Sequence, residues 1–213
     1  MKLSKRGEYG LRTLIKLGMA RVAGREVVAV SELAEMEHLP LKFVEQILAD
    51  FRHAGLVGTR RGKYGGYFLE KDQKEIKMGE VVRLLDGMLA PISCASESFY
   101  QPCTCDDEAH CGLRMLMIDV RNAVAGILDR YTLADVVEVT LRKMKRDKLP
   151  LPFSKEYEEA REALKLAGKS PVDGHKESFL SLLKDVDDRK AKPSSKPKPS
   201  PKPSVKQKAK TRS

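Results

Sequence analysis

Apolar residues recur with the period of an α-helix from the start of the chain. Residues 4–23 predict a first helix, because Ser4 can cap its N-terminus and one side of the segment carries an apolar stripe. Arg12, Lys16 and Arg21 interrupt this stretch, so it lacks the continuous apolar core of a signal peptide. The stripe consists of Leu11, Leu14, Ile15, Leu17 and Met19.

Two further helical segments follow, separated by a short turn. Residues 31–37 predict a short helix capped by Ser31, and the second segment extends from Leu41 to about His53. Gly55 stands where a left-handed C-cap falls. A helix pair with so short a turn predicts a helix-turn-helix, although any small helical hairpin has the same pattern. The apolar side of the second helix consists of Phe43, Val44, Ile47, Leu48 and Phe51.

A basic hairpin is predicted directly after the helix pair. Residues 56–61 and 67–71 indicate two short strands around a glycine-rich loop. Arg60, Arg61 and Lys63 lie in or beside this loop, where they can approach phosphates or a groove of DNA. A helix pair followed by such a hairpin is typical of a winged helix. An ordinary hairpin with solvated charges is the alternative.

Three more helices are predicted, one of which has an apolar stripe too wide for a small domain to cover. MGEVVRLLDG indicates a short amphipathic helix, residues 111–129 a long one, and Thr132 caps a last one. A helix of a second subunit would cover the stripe of the long helix, so we expect a homodimer. This stripe consists of Leu113, Leu116, Met117, Val120, Val124, Ile127 and Leu128.

These patterns predict a mainly α fold with four regions. A winged helix-turn-helix DNA-binding domain occupies residues 1–89, and a cysteine-rich loop occupies residues 90–110. The dimerisation helix and the C-terminal helix occupy residues 111–149. Residues 150–213 are expected to form a charged, largely disordered tail rich in Lys, Pro and Ser.

Charge and composition point to a polyanionic partner. The formal net charge is +10, and most of the excess lies in residues 151–213. Residues 189–213 hold ten Lys or Arg and no acid, which predicts disorder and sequence-independent affinity for DNA. A merely solubilising tail is the alternative. Weak helical patterns occur at 154–167 and 175–190.

The cellular compartment bears on the chemistry of the cysteines. No apolar run reaches the roughly 18 residues of a membrane span, so the chain is expected in the cytoplasm. Thiols stay reduced there, which makes a metal or redox site a better expectation than a structural disulfide.

All four cysteines fall in one stretch, CASESFYQPCTCDDEAHC, with the spacing C-x8-C-x-C-x5-C. The cysteines are Cys94, Cys103, Cys105 and Cys111. Thiolates of this kind ligate an iron–sulfur cluster or zinc. The spacing lacks paired CxxC knuckles, and the CxC step is tight for two ligands of one tetrahedral ion. It therefore mildly favours a cluster, which holds several irons, over zinc.

Several motifs together resemble the Rrf2 family of bacterial winged-helix regulators, over roughly residues 1–145. They are MKLSKRGEYGLR, VSELAEMEHLPLKFVEQILADFRHAGLV, RGKYGGYFL, EIKMGEVVRLLDG, the cysteine loop, CGLRMLMIDVRNAV and YTLADVVE. This family includes IscR-like iron–sulfur regulators and NsrR-like nitric-oxide-sensitive repressors. The resemblance implies a dimer built on the long helix, with one recognition helix per subunit in the major groove of a palindromic operator.

The resemblance also implies which side chains face DNA. They are Lys42, Phe43 and Glu45 of the recognition helix, with Arg61 at the wing. Glu45 can accept from cytosine N4, and Lys42 can donate to guanine or to a phosphate. An aromatic residue at the start of a helix, such as Phe43, can equally well pack against the core.

For the cluster, the resemblance implies three cysteine ligands and one other group. Cys94, Cys111 and either Cys103 or Cys105 would be the three, and Cys105 matches the usual spacing better. The IscR-like branch places a histidine ligand where this chain has Arg114, and His110 is a weaker substitute. The NsrR-like branch uses a carboxylate from the other subunit, which corresponds to Glu8; Cys103 is the rival fourth ligand.

The sequence thus predicts a cytoplasmic, homodimeric DNA-binding regulator that acts as a redox-sensing repressor, and not an enzyme. Its cofactor would be a 2Fe-2S or 4Fe-4S cluster that reports redox state, nitric oxide or iron–sulfur status. Three alternatives stay open. They are a cluster-free family regulator that responds to a metabolite or protein partner, a zinc-stabilised architectural DNA-binding protein, and an interaction module that binds an enzyme of sulfur metabolism and has lost DNA binding.

Overall fold

The computed structural model describes residues 3–154 and, beyond them, residues 156, 157, 159, 160, 163, 178–180, 182 and 183. The chain divides into two units, Met1–Lys176 and Glu177–Ser213. The basic segment 189–213 lies outside the described residues, and so does most of the two weak helical patterns at 154–167 and 175–190.

The described part of the first unit is mainly helical, with one small antiparallel sheet. A short 3-10 turn, Ser93–Ala95, lies within the cysteine loop. Among the described residues, no helix combines the length and the apolar character needed to cross a bilayer. The helices and strands are α1 Lys5–Val22, α2 Val30–Glu37, α3 Leu41–His53, β1 Val57–Arg60, β2 Gly66–Leu69, α4 Met78–Asp86, α5 Gly112–Arg130 and α6 Leu133–Arg146.

The prediction of a cap at Ser31 is wrong, because α2 begins one residue earlier. Ala29 is the N-cap residue, it offers no side-chain hydrogen bond, and Ser31 is an exposed residue of the first turn. The reason lies in the isolated bridge that precedes the helix. Val28 exchanges two backbone hydrogen bonds with Tyr67 (2.9 and 2.8 Å), so the chain leaves the sheet and enters the helix before Ser31.

The other predicted helix ends are confirmed. The Ser4 hydroxyl accepts a hydrogen bond from the backbone N–H of Gly7 (2.9 Å) at the start of α1. At the end of α3, Gly55 adopts φ +69°, and the N–H of Leu56 donates to the carbonyl of Phe51 (2.9 Å). This is a Schellman motif, in which glycine avoids the strain of a left-handed backbone.

The wing is a hairpin whose two strands pair from Val57 opposite Leu69 to Arg60 opposite Gly66. Val28 adds an isolated bridge to Tyr67 on the other side of β2. A side chain at Gly66 would overlap the backbone of Val28, so this close approach requires glycine. The hairpin is therefore attached to the segment that leads into α2.

The core forms around α1, which packs against α2, α3, α4 and α6. Leu133 and Val137 of α6 join the same buried cluster as Leu14 of α1 and Phe51 of α3. Val137 lies so close to Gly18 that a Cβ there would be 2.7 Å from its methyl group. The largest fully buried side chains among the described residues are Phe51, Leu14, Leu33, Ile47, Leu48, Ile76, Leu133, Val28, Val44, Val57, Val81 and Val82.

The long helix α5 lies outside this core, along α4 and the 3-10 turn. None of its 19 residues is buried, and Leu113, Leu116 and Ile127 are 60%, 57% and 48% exposed. At its end Thr132 caps α6 as predicted, through a reciprocal pair of hydrogen bonds with Asp135. The described chain thus holds α5 by one side only.

Candidate DNA-reading and thiol sites

One side of α3 presents polar residues, and the other is buried. Lys42 and Glu45 are exposed, and their reading of DNA bases stays a prediction. Phe43 instead packs edge-on against Tyr9, with ring centroids 5.8 Å apart and an interplanar angle of 87°. Its predicted contact with DNA stays a prediction. Gln46 is also exposed, although it is absent from the predicted DNA-reading residues. Its position on the polar side of the helix could have indicated this role.

The wing presents a compact group of cations. Arg60, Arg61 and Lys63 are all exposed, and Arg60 reaches Glu26 at 3.6 Å. Tyr64, at the tip of the hairpin, is 84% exposed, and the ammonium group of Lys63 lies 5.6 Å from the centre of its ring. Exposed guanidinium and ammonium groups on a narrow hairpin are suited to phosphate contacts.

Cys94 lies in the 3-10 turn and is only 7% exposed. Arg114 of α5 donates from Nε to the Cys94 carbonyl (3.0 Å), and Arg121 donates from Nη1 to the carbonyl of Ala95 (2.7 Å). Burial, with a smaller contribution from the nearby Cys103, raises the pKa of the Cys94 thiol. The turn is therefore attached to α5 by its backbone, with the thiol facing inward.

The remaining three cysteines are neighbours in space. The backbone N–H of Cys105 donates to Sγ of Cys103 (3.1 Å). Hydrogen bonding with Cys103, followed by burial and a contact with Cys111, raises the pKa of the Cys105 thiol to about 11. Cys105 is exposed, whereas Cys103 and Cys111 are half-buried. Cys105 thus lies beside both Cys103 and Cys111.

Glu108 organises the middle of the cysteine loop. Its carboxylate accepts from the Tyr100 hydroxyl (2.9 Å) and from the backbone N–H of Cys103 (3.2 Å). It also lies 3.2 Å from Nε of Arg114. Sequence reasoning missed both Glu108 and the role of Arg114, because nothing in the spacing of the cysteines marks a structural ion pair.

The donor set fits a thiolate-held metal group in its chemistry, since four sulfur ligands suit iron–sulfur clusters and zinc. Among the described residues, however, no three His, Cys, Asp or Glu side chains converge tightly enough to hold a metal ion as they stand. Binding would therefore require their side chains to turn inward.

The predicted non-cysteine ligands lie in different settings. Glu8 is half-buried on α1 and pairs with Lys5 (3.0 Å) and Arg12 (3.6 Å); the hydrogen bond from Lys5 is the main cause that lowers its pKa. It lines a groove of about 700 Å³ that also includes Ala90, at the start of the loop. His110 is exposed and pairs with Asp107 (2.7 Å).

Comparison with known proteins identifies the class. The Rrf2 family model, described as an iron-dependent transcriptional regulator, matches residues 3–139. A transcriptional regulator of Rhodobacter capsulatus described as rrf2-like is 36% identical over 137 residues, which is 63% of this chain and 91% of that protein. The chain therefore belongs to the Rrf2 family of DNA-binding transcriptional regulators, and these relatives are regulators rather than enzymes.

Two members of the family with solved structures are similar to this chain in sequence and in fold. CymR of Bacillus subtilis, described as its global cysteine regulator, is 32% identical, with a TM-score of 0.54 and coverage of 65% of this chain and 97% of that one. IscR of T. potens is 27% identical, with a TM-score of 0.50 and coverage of 65% and 87%. These likenesses confirm the predicted mainly α, winged helix-turn-helix fold.

Proposed function

We propose that this chain acts as a homodimeric transcription regulator that senses redox state, nitric oxide or iron–sulfur status through a cysteine-ligated iron–sulfur cluster. Membership of the Rrf2 family establishes that the chain is a transcriptional regulator. The observation that carries the sensing proposal is the gathering of Cys94, Cys103, Cys105 and Cys111 in one loop at the start of α5. In this proposal the protein resides in the cytoplasm, where the thiols remain reduced.

The DNA-reading surface in this proposal combines the exposed side of α3 with the wing. Lys42 and Glu45 would read base edges in the major groove, and Arg61, with Arg60 and Lys63, would contact the backbone or an adjacent groove. Phe43 would support this surface through its contact with Tyr9.

Binding assays at several salt concentrations separate these roles. Glu45→Gln should change the preferred base at one operator position, with a cost of about 1–3 kcal/mol for the original base. Arg61→Ala should weaken binding to all DNA sequences. It should also reduce the slope of log K against log salt concentration by about 0.9, the contribution of one phosphate contact. An operator preference unchanged by Glu45→Gln would count against the assignment of α3.

A second copy of the chain would cover the exposed stripe of α5. The geometry of an α-helix places Leu116 on the opposite side from Ala125, which lines the groove facing α4. Leu113 and Ile127 lie on the same side as Leu116 and are exposed. Antiparallel or crossed packing of two such helices would join the two winged-helix units of an operator-binding dimer.

The thiol loop is positioned to affect this dimer. Cys111 is the N-cap residue of α5, and the Cys94 turn is attached to the same helix by Arg114 and Arg121. A cluster, when bound, supplies irons that respond to electrons, oxygen or nitric oxide. The protein's part is to hold it through Cys94, Cys105 and Cys111, with Cys103 or the partner's Glu8 as the fourth ligand. A coupling of about 1–3 kcal/mol would change operator affinity 5–150-fold.

Anaerobic purification followed by iron, sulfide and zinc analysis and a visible spectrum tests this proposal. We expect iron and sulfide in stoichiometric amounts, with absorption that disappears on exposure to nitric oxide or oxygen. Cys103→Ala and Glu8→Ala should differ in cluster retention, and the more damaging change identifies the fourth ligand. A colourless, iron-free protein after anaerobic reconstitution would reject the sensing role.

A cluster-free regulator is the second candidate. It is supported by the similarity to the cysteine regulator CymR and by the open arrangement of the thiols. In that case operator affinity should respond to a metabolite or protein partner and stay the same after full anaerobic reconstitution with iron and sulfide. Stoichiometric zinc with no iron would point instead to a zinc-stabilised DNA-binding protein.

A further inference from the structure

Two arginines of α5 face the same short turn of the cysteine loop. Arg114 and Arg121 are separated by seven residues, or about two helical turns, so they lie on one side of the helix. Their guanidinium groups donate to the consecutive carbonyls of Cys94 (3.0 Å) and Ala95 (2.7 Å). The side chains are 31% and 15% exposed, which shields both contacts from solvent.

Each arginine also holds a carboxylate that belongs to the loop. Nε of Arg114 lies 3.2 Å from Glu108, and Nη2 of Arg121 lies 2.9 Å from Glu97. Glu108 in turn accepts from the N–H of Cys103 (3.2 Å). The two guanidinium groups therefore connect α5 to the backbone of the loop at Cys94 and, through Glu108, at Cys103.

The far end of α5 is held by a matching contact. Asp129 accepts two hydrogen bonds from Arg83 of α4, both at 2.7 Å. The carboxylate of Asp129 also lies so close to Gly79 that a side chain at position 79 would overlap it. Arginine contacts at Arg114, Arg121 and Arg83 thus connect α5 to the cysteine loop at one end and to α4 at the other.

We propose that Arg114 and Arg121 are positioning residues, which hold Cys94 in its buried place and link the occupancy of the thiol site to the position of α5. This inference depends on the proposed function for the link to metal, whereas the positioning of Cys94 can be tested without metal. Arginine is suited to the task because its rigid, planar group can bind a carbonyl and a carboxylate together. Lysine offers a single ammonium group at this distance.

The primary experiment measures alkylation of each thiol by mass spectrometry in the metal-free, reduced, full-length protein. Arg114→Ala and Arg121→Ala should each raise the alkylation rate of Cys94 at least about tenfold, because the turn opens more often when it loses an anchor. Arg121→Lys should restore part of the protection. The exposed Cys105 serves as the internal reference.

Arg130→Ala is the matched control, since Arg130 is an exposed arginine of the same helix in its last turn. It should leave the Cys94 rate unchanged. Circular dichroism shows whether each variant is folded, and Arg121→Lys provides a milder change if an alanine variant is not. A Cys94 rate that is the same in the folded Arg114 and Arg121 variants as in wild type would overturn the assignment.

A cobalt(II) titration separates this inference from the proposed function. Thiolate-to-cobalt absorption in the wild type, with an affinity reduced at least about tenfold in Arg114→Ala, would support the link to the metal site. Equal affinities would reject the link. If the wild type binds neither iron nor cobalt, the proposed function fails, while the alkylation rates still decide whether the arginines hold Cys94.

Discussion

The two longest helices that the structure describes, α1 and α5, have similar amphipathic patterns but differ in how far their residues are buried. Eight of the 18 residues of α1 are buried, whereas none of the 19 residues of α5 is. α1 is surrounded by four helices of its own chain, whereas α5 packs along one side against α4 and the 3-10 turn in the part of the chain that the structure describes. An apolar stripe therefore predicts that one side of a helix will pack against a partner. It does not indicate whether that partner belongs to the same chain or to a second subunit.

The largest effect is expected from a substitution that creates a cavity in the core beside α1. Leu14→Ala removes a fully buried side chain from the centre of the core, and we expect a loss of about 2–5 kcal/mol in the free energy of unfolding. Chemical denaturation followed by circular dichroism measures it. Val22→Ala, at a 60% exposed position of the same helix, is the control and should cost little. A similar loss in both variants would contradict the central place of α1.

A charge on the stripe of α5 tests the opposite half of the comparison. Leu116→Glu should weaken the proposed dimer at least about 100-fold, or about 2.7 kcal/mol, because a carboxylate would be buried between two helices. Sedimentation equilibrium measures the dissociation constant, and circular dichroism should show retained helix. Met115→Glu changes an exposed residue outside the stripe and is the control. A wild type that is monomeric at high concentration would reject the dimer.

The junction between α5 and the core helix α6 is the next test. The Thr132 side chain accepts from the N–H of Asp135 (3.3 Å), and the carboxylate of Asp135 accepts from the N–H of Thr132 (2.9 Å). Thr132→Ala should cost about 1 kcal/mol of stability, as loss of an N-cap usually does. Thermal unfolding measures this. Thr132→Ser keeps the hydroxyl and should behave like wild type; if it is equally destabilised, the cap is not the cause.

The ion pair between α4 and α5 should have the smallest effect, with a characteristic pH dependence. The hydrogen bond from Arg83 lowers the pKa of Asp129, so the pair stabilises the fold above the ordinary pKa of this carboxyl group, near 3.8. That stability is lost as the pH falls through the lowered pKa. Both side chains are 37% exposed, so Asp129→Asn should cost only about 0.5 kcal/mol at pH 7.

Denaturation at several pH values checks this prediction. The difference between wild type and Asp129→Asn should shrink below about pH 4, where the carboxyl of the unfolded chain begins to accept a proton while the native one, with its lowered pKa, stays ionised. Asp119→Asn, an exposed acid on the same helix, is the control. A difference that stays constant down to pH 2 would mean that the contact contributes through shape rather than charge.

Local signals in the sequence predicted most of the elements. Ser4, Gly55 and Thr132 each act within four residues of their own position, so their roles as caps follow from local chemistry. Ser31 failed as a cap because a distant strand residue, Tyr67, pairs with Val28 and moves the start of α2. A non-local backbone contact can override a good local cap.

The candidate sites divide along the same line. The cysteines and the cations of the wing are recognisable by residue type and spacing, without any structure. The family resemblance implies that Phe43 faces DNA, and its ring packs on Tyr9 from another helix. Arg114 was seen only as the absence of a histidine ligand, whereas it holds the backbone of Cys94, twenty positions earlier.

By itself the sequence determined the helix-turn-helix, the basic wing, the thiol loop and the amphipathic stripe of α5, because each depends on residues that are close along the chain. Only the tertiary structure decided that Cys94 is buried, that three arginines attach α5 to the loop and to α4, and that the described part of the chain buries no residue of α5. These features arise from contacts between distant segments. Periodicity and spacing report which side of an element is apolar, but not what lies against it.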